Sequence, residues 1–136
     1  MSPVQGSTEL DVRDALVAAT EWRPDILGSG FSALDLTLKP DHEGPVVATL
    51  VRGPRADRFA RGPARGADVL YVHGWSDYFF QKHHAHHWAS EGARFFALDL
   101  RKYGRSLRDY QTPGFVTDLA TYDEELERAL EVMGQG

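Results

Sequence analysis

The sequence contains no cysteine. Neither a disulfide framework nor thiolate chemistry is open to it, and a reducing compartment suits it. It has no apolar run of the roughly 18 residues that a membrane-spanning helix needs. Residues Met1 to Asp14 lack an apolar core behind basic residues, so no secretory leader is expected. A basic excess is missing too: 15 basic side chains face 20 acidic ones, and both signs are interspersed. That balance argues against a nucleic-acid partner, whose binding surface needs clustered positive charge. These absences together predict a cytoplasmic protein with no transmembrane segment. The local exception is Arg52, Arg55, Arg58, Arg61 and Arg65, interleaved with glycine, proline and alanine. That mixture reads as a solvated loop.

What is present fits one globular domain of ordinary size: 136 residues, 42% hydrophobic and 26% charged. No internal repeat or low-complexity segment is evident. Leu10, Val12, Ala15, Leu16 and Ala19 fall near helical spacing, which predicts a short helix within Thr8 to Trp22, ended by Pro24. From Phe31 to Lys39 apolar and polar residues mostly alternate, the mark of a half-exposed strand. Pro40 to Gly44 is turn chemistry, and Val46 to Val51 is a second strand, so an antiparallel hairpin is expected. Asp68 to Val72 and Phe95 to Leu98 are apolar without alternation, which predicts strands buried on both faces. Tyr78 to Glu91 between them reads as a helix closed by Gly92. Tyr78, Phe79, Phe80 and Trp88 are expected in the core. Val116 to Met133 is amphipathic, with a stripe of Leu119, Tyr122, Leu126, Leu130 and Met133. Asp118, Glu124, Glu125, Arg128 and Glu131 are expected on its solvated face. The order strand, helix, strand, helix after a hairpin predicts an α/β fold, with a parallel crossover and helices covering both faces of the sheet.

Two segments then become specific. The first apolar strand ends in His73-Gly74-Trp75-Ser76, and the second ends in Asp99-Leu100-Arg101-Lys102-Tyr103-Gly104-Arg105-Ser106. In this strand order they resemble the α/β-hydrolase superfamily, most closely its monoglyceride-lipase, lysophospholipase and serine-aminopeptidase-like branch. The resemblance runs from about Phe31 to Met133. It implies the N-terminal half of an α/β-hydrolase fold, an antiparallel strand pair leading into a parallel sheet with flanking helices. Residues 1–30 would be an N-terminal extension carrying the short helix. Residues 31–136 would be a partial hydrolase domain, truncated before the nucleophile strand. The implied activity is serine-type hydrolysis of carboxylic esters such as acylglycerols or lysophospholipids, with no cofactor and no metal.

The resemblance also assigns roles. Attack on an ester carbonyl builds an oxyanion, and backbone N–H groups already aimed at it stabilise the transition state. The Trp75 N–H would supply one such donor, and its indole would offer apolar contact area to an acyl group. Gly74 would let the backbone approach substrate closely. His73 would shape the loop through its ring hydrogen bonds. Asp99, Gly104 and Ser106 would form a structural turn, with the aspartate tying down the loop.

The nucleophile is the missing part. The family carries its serine in a Gly-x-Ser-x-Gly elbow, and none of Ser2, Ser7, Ser29, Ser32, Ser76, Ser90 and Ser106 lies in that pattern. No triad acid or base is identified, so no catalytic residue is expected in this chain and it should be inactive alone. Without the nucleophile strand, Val69 to Val72 would form an apolar sheet edge, prone to self-association. The alternative is a non-catalytic fragment or interaction module that needs a partner chain to complete its sheet. His83, His84, His86 and His87 crowd a probable helix, with His83 and His87 on one face. No third ligand is evident and the His-Glu-x-x-His order is absent, so no metal site is expected.

Overall fold

In the computed structural model, residues 21–75 and 77–134 are described. The helix expected within Thr8 to Trp22 therefore lies almost entirely outside the described residues. The strands are β1 (Arg23–Pro24), β2 (Ser32–Asp41), β3 (Gly44–Arg52), β4 (Asp68–Val72) and β5 (Arg94–Asp99), and the helices are α1 (Lys82–Ser90) and α2 (Asp123–Gly134). The strands make one mixed sheet in the order β1-β2-β3-β5-β4. β2 and β3 pair antiparallel as the alternation predicted, and the turn between them is tighter than expected. Asp41 pairs with Gly44, and the Glu43 N–H donates to the Asp41 carboxylate at 2.9 Å. β5 inserts between β3 and β4, antiparallel to the first and parallel to the second. Residues 23–31 are continuous with this sheet, because Arg23 and Pro24 pair with Ala33 and Ser32.

Period-two alternation sends the side chains of each strand to two separate cores. Leu34, Leu36, Leu38, Val46, Ala48, Leu50, Phe96 and Leu98 pack beneath Ala129 and Met133 of α2. On the opposite face Phe31, Val51, Phe95 and Ala97 pack with Phe79 and Ala85 at the start of α1. Both faces of the sheet are thus covered by a helix, which is the α/β arrangement.

Several expectations need correction. β4 is half-exposed along its length instead of buried on both faces, and Val72 is 41% exposed. The reason is position: among the described residues β4 is the edge strand, with no neighbour on one side. α1 begins at Lys82, four residues later than Tyr78, because the Asp99 carboxylate captures the Phe79 N–H at 2.8 Å and holds the preceding chain extended. Of the aromatics expected in the core there, Phe79 is fully buried and Trp88 packs partly, while Tyr78 and Phe80 are exposed and stack on each other. The end of α1 follows the sequence reading. Gly92 has φ +87°, its N–H bonds the Ala89 carbonyl at 3.0 Å, and the Ala93 N–H bonds that of Trp88 at 3.0 Å. This double closure is the Schellman motif, which favours glycine at that point.

The last helix is split. Asp118 caps a 3₁₀ turn at Leu119–Tyr122 by accepting from the Ala120 N–H at 2.9 Å, and α2 proper starts at Asp123. Its buried face is Glu125, Ala129 and Met133, flanked by Tyr122, Leu126 and Val132. Leu119 and Leu130, expected inside, are 76% and 57% exposed, and Glu125, expected outside, is fully buried. The hydrophobic stripe misplaced the face because a buried ion pair, absent from any apolar pattern, fixes the helix rotation.

Candidate functional site

The carboxyl ends of β4 and β5 lie side by side, since Val72 pairs with Leu98. In open parallel sheets the carboxyl ends of strands are where ligands bind. His73 follows β4 directly and is buried. Its Nε2 accepts the Leu100 N–H at 3.0 Å, and its Nδ1 lies 2.7 Å from the Gly74 carbonyl oxygen. A ring nitrogen that accepts carries no proton, so the proton sits on Nδ1 and is donated to Gly74. One ring therefore staples the start of this loop to the strand next door. It makes an edge-to-face contact with Tyr103, with ring centroids 4.9 Å apart.

Beyond His73 the chain opens to solvent. Trp75 is 81% exposed, with only an edge contact to Tyr103 at 6.3 Å. Among the described residues, no acceptor takes the N–H of Gly74 or of Trp75. A Cβ placed on Gly74 would meet no chain atom within 4 Å among them, and its φ lies outside the left-handed region. Nothing inside the described protein demands glycine here. Both residues are exposed, and among the described residues both N–H groups lack an acceptor.

The far end of the loop is clamped as well. Asp99 at the end of β5 is fully buried and accepts the Phe79 N–H at 2.8 Å and the Arg105 N–H at 3.0 Å. The Arg105 guanidinium bonds Asp99 at 2.9 Å and the Phe79 carbonyl at 2.8 Å. It also grips Asp25 through two bonds of 2.7 and 2.9 Å. Burial opposes ionisation of Asp25, but Arg105 and the Leu27 and Ile26 N–H groups outweigh it and hold the carboxyl below its usual range. Burial likewise works against charge on Arg105, and Asp25 and Asp99 reverse that. Ser106 has no free hydroxyl: its Oγ donates to the Asp99 carbonyl at 2.5 Å and accepts the Thr49 N–H at 2.9 Å. Gly104 is confined, because a Cβ there would come within 2.4 Å of the Tyr78 Cβ.

The same turn holds two basic residues whose roles the sequence reading did not foresee. Arg101 is 4% exposed and bonds Glu125 at 2.8 Å and Glu124 at 3.0 Å. Lys102, at φ +63° and fully buried, reaches Asp41 at 2.5 Å and Glu43 at 2.6 Å in the β2–β3 turn. Burial alone would depress the Lys102 ammonium, and these two carboxylates raise it above its ordinary value instead. Lys102 in turn, helped by Thr112, holds Glu43 down to about 2. Three basic side chains within one turn thus reach three different elements. The available sign was Arg101-Lys102 and Arg105 directly after a strand with no polar interruption. Their acidic partners lie far apart in sequence, and nothing local points to them.

The remaining candidates do not converge. His83, His84, His86 and His87 are all exposed along α1. The His84, His86 and His87 rings pair with Tyr71, Phe31 and Trp88, and the His83 ring lies against that of His84. Among the described residues no group of three His, Cys, Asp or Glu side chains could hold a metal ion. Nor, among them, is any helix long and apolar enough to cross a membrane. Comparison with protein-family models, with curated proteins and with solved structures returns no match.

Proposed function

We propose that this chain is the N-terminal portion of an α/β-hydrolase of the serine type, acting on carboxylic esters. One observation carries the reading. Beyond the carboxyl end of β4, the exposed Gly74 and Trp75 have N–H groups with no acceptor among the described residues, while the flanks of their loop are bonded to Leu100 and Asp99. An unused donor between two fixed flanks suits oxyanion stabilisation, which works best when donors need no reorganisation during the reaction. Losing one such donor typically costs about 3 kcal/mol of transition-state binding. The sequence His73-Gly74-Trp75 and the Asp99 to Ser106 turn support the same family.

The side of β4 that has no neighbour among the described residues agrees with the proposal. A strand carrying the nucleophile elbow would pair there and bring a serine beside Trp75. Residues 1–136 hold the oxyanion donor without nucleophile, acid or base, so they do not turn over substrate by themselves. The exposed Trp75 indole would contact the acyl group. Cytoplasmic location and a small ester or lipid-like substrate belong to the same proposal.

The test is the coding sequence that follows Gly136. An in-frame Gly-x-Ser-x-Gly elbow behind an apolar strand supports the reading, as does fluorophosphonate labelling of the extended chain but not of residues 1–136. An extended chain that resists the probe overturns it. The open β4 edge also suits a second reading, a non-catalytic module completed by a partner chain. A stop codon after Gly136 together with a copurifying strand donor would favour that one.

A further inference from the structure

We propose that the loop between β3 and β4 docks this protein on anionic lipid surfaces. Of the chain's 15 basic and 20 acidic residues, the stretch 52–65 holds five arginines and a single aspartate. All five arginines are exposed. Among the described residues none of them enters an ion pair. Phe59, at the middle of the stretch, is 74% exposed, and the Arg58 guanidinium lies over its ring at 4.8 Å.

A merely solvated loop explains the exposure and leaves the order unexplained. The backbone is pinned along its length. Gly53 N–H bonds Phe95 at 2.9 Å, Asp57 N–H bonds Ala89 at 2.8 Å, and Gly66 N–H bonds Gly92 at 3.0 Å. The lone Asp57 carboxylate, also exposed, accepts the Phe59 N–H at 2.9 Å within the loop. Backbone bonds thus hold the loop down, and Arg55, Arg58, Phe59, Arg61 and Arg65 are exposed on it, while Arg52 at the end of β3 lies over the Trp22 ring at 4.2 Å.

The partner follows from the chemistry. Exposed arginines draw a protein to anionic lipid, and an aromatic ring then enters the interface. A nucleic acid fits less well. Apart from arginine and Asp57, the stretch has only Gly, Pro, Ala and Phe, so it offers no hydroxyl or amide side chain to read base edges. The rest of the chain is strongly acidic and would repel a long polyanion. A planar surface met by one end of the molecule avoids that repulsion. The loop sits at the amino ends of β4 and β5, away from the His73 end of the sheet, so docking leaves that end uncovered.

The test is flotation of the intact chain with vesicles, since aggregated protein does not float. Phosphatidylserine–phosphatidylcholine vesicles should carry the protein up at low salt, and pure phosphatidylcholine vesicles should not. Arg58→Gln and Arg61→Gln should each cut the floated fraction about fivefold. Phe59→Ser should remove the part that survives added salt. All three positions are exposed, so circular dichroism of the variants should match the parent. Equal flotation with neutral vesicles, no flotation at low salt, or tighter binding to polyuridylate than to the anionic vesicles would overturn the proposal.

Discussion

The turn after β4 and the turn after β5 begin at neighbouring strand ends and treat their polar groups in opposite ways. From Asp99 to Ser106 nearly every polar side chain points inward to a named partner, and no buried side-chain nitrogen or oxygen among the described residues is left without one. From His73 to Trp75 the His73 ring and the Gly74 carbonyl are committed to each other, and among the described residues the Gly74 and Trp75 N–H groups have no acceptor. Buried polar groups cost free energy unless paired, so a saturated turn is scaffold and has little left for a ligand. An unsaturated turn survives only where solvent or a ligand can reach it. The contrast separates the residues that hold the site from those that would act in it.

The sharpest way to break this contrast is to unpair the scaffold. Arg101→Met leaves Glu125 buried with only the Arg101 N–H, bonded at 2.9 Å, as a charge-compensating contact. Stranding one member of a buried pair costs about 3–5 kcal/mol, and urea unfolding should show a loss of that order. The double variant Arg101→Met, Glu125→Leu should recover much of it. If the single and double variants lose equally, the pair does not set the position of α2. Next in size is Ser106→Ala, which deprives the Thr49 N–H of its acceptor and should cost about 1–3 kcal/mol in the same measurement. A nucleophilic role for Ser106 would instead predict fluorophosphonate labelling of the parent chain.

Acid provides a graded test of the same turn. Glu43 titrates at about 2 in the folded chain against an ordinary 4.5. Its folded value is depressed, so its contribution is complete above pH 4.5 and drains away as the pH falls toward 2. Asp41, lowered chiefly by its bond to Lys102, acts in the same direction. Urea midpoints measured through that window should fall with pH, and Glu43→Gln should flatten the slope. An unchanged slope would mean that Lys102 gains nothing from Glu43. The smallest effect belongs to the open turn. Gly74→Ala meets no obstacle within the described protein, so its unfolding midpoint should move by less than about 0.5 kcal/mol. A large destabilisation would make Gly74 part of the scaffold and erase the contrast.

Much of the strand order was legible because periodicity reports local environment. The alternation in Phe31 to Lys39 gave the hairpin, and the two unbroken apolar runs gave the parallel pair. The positions of His73 and Asp99 at the ends of apolar runs were legible, while their partners Leu100 and Phe79 lie 27 and 20 residues away and were not. The face of α2 was not. Leu119 and Leu130 look like core residues and Glu125 like surface, and the helix is turned the other way by Arg101, more than twenty residues upstream. The start of α1 was lost for the same reason, since Asp99 intercepts the Phe79 N–H from twenty residues away.

By itself, then, the sequence determined the alternation of strands and helices, the absence of disulfide chemistry and the residues that cap the parallel strands. Those depend on backbone propensity, on side-chain period and on composition, all local properties. Only the tertiary structure decided which charges are buried, which face of α2 meets the sheet, and that among the described residues β4 is an edge with two N–H donors without acceptors beyond it. Each of those depends on a partner distant along the chain. A buried charge is tolerable only where that partner arrives within hydrogen-bond reach, and no local pattern in the sequence records its arrival.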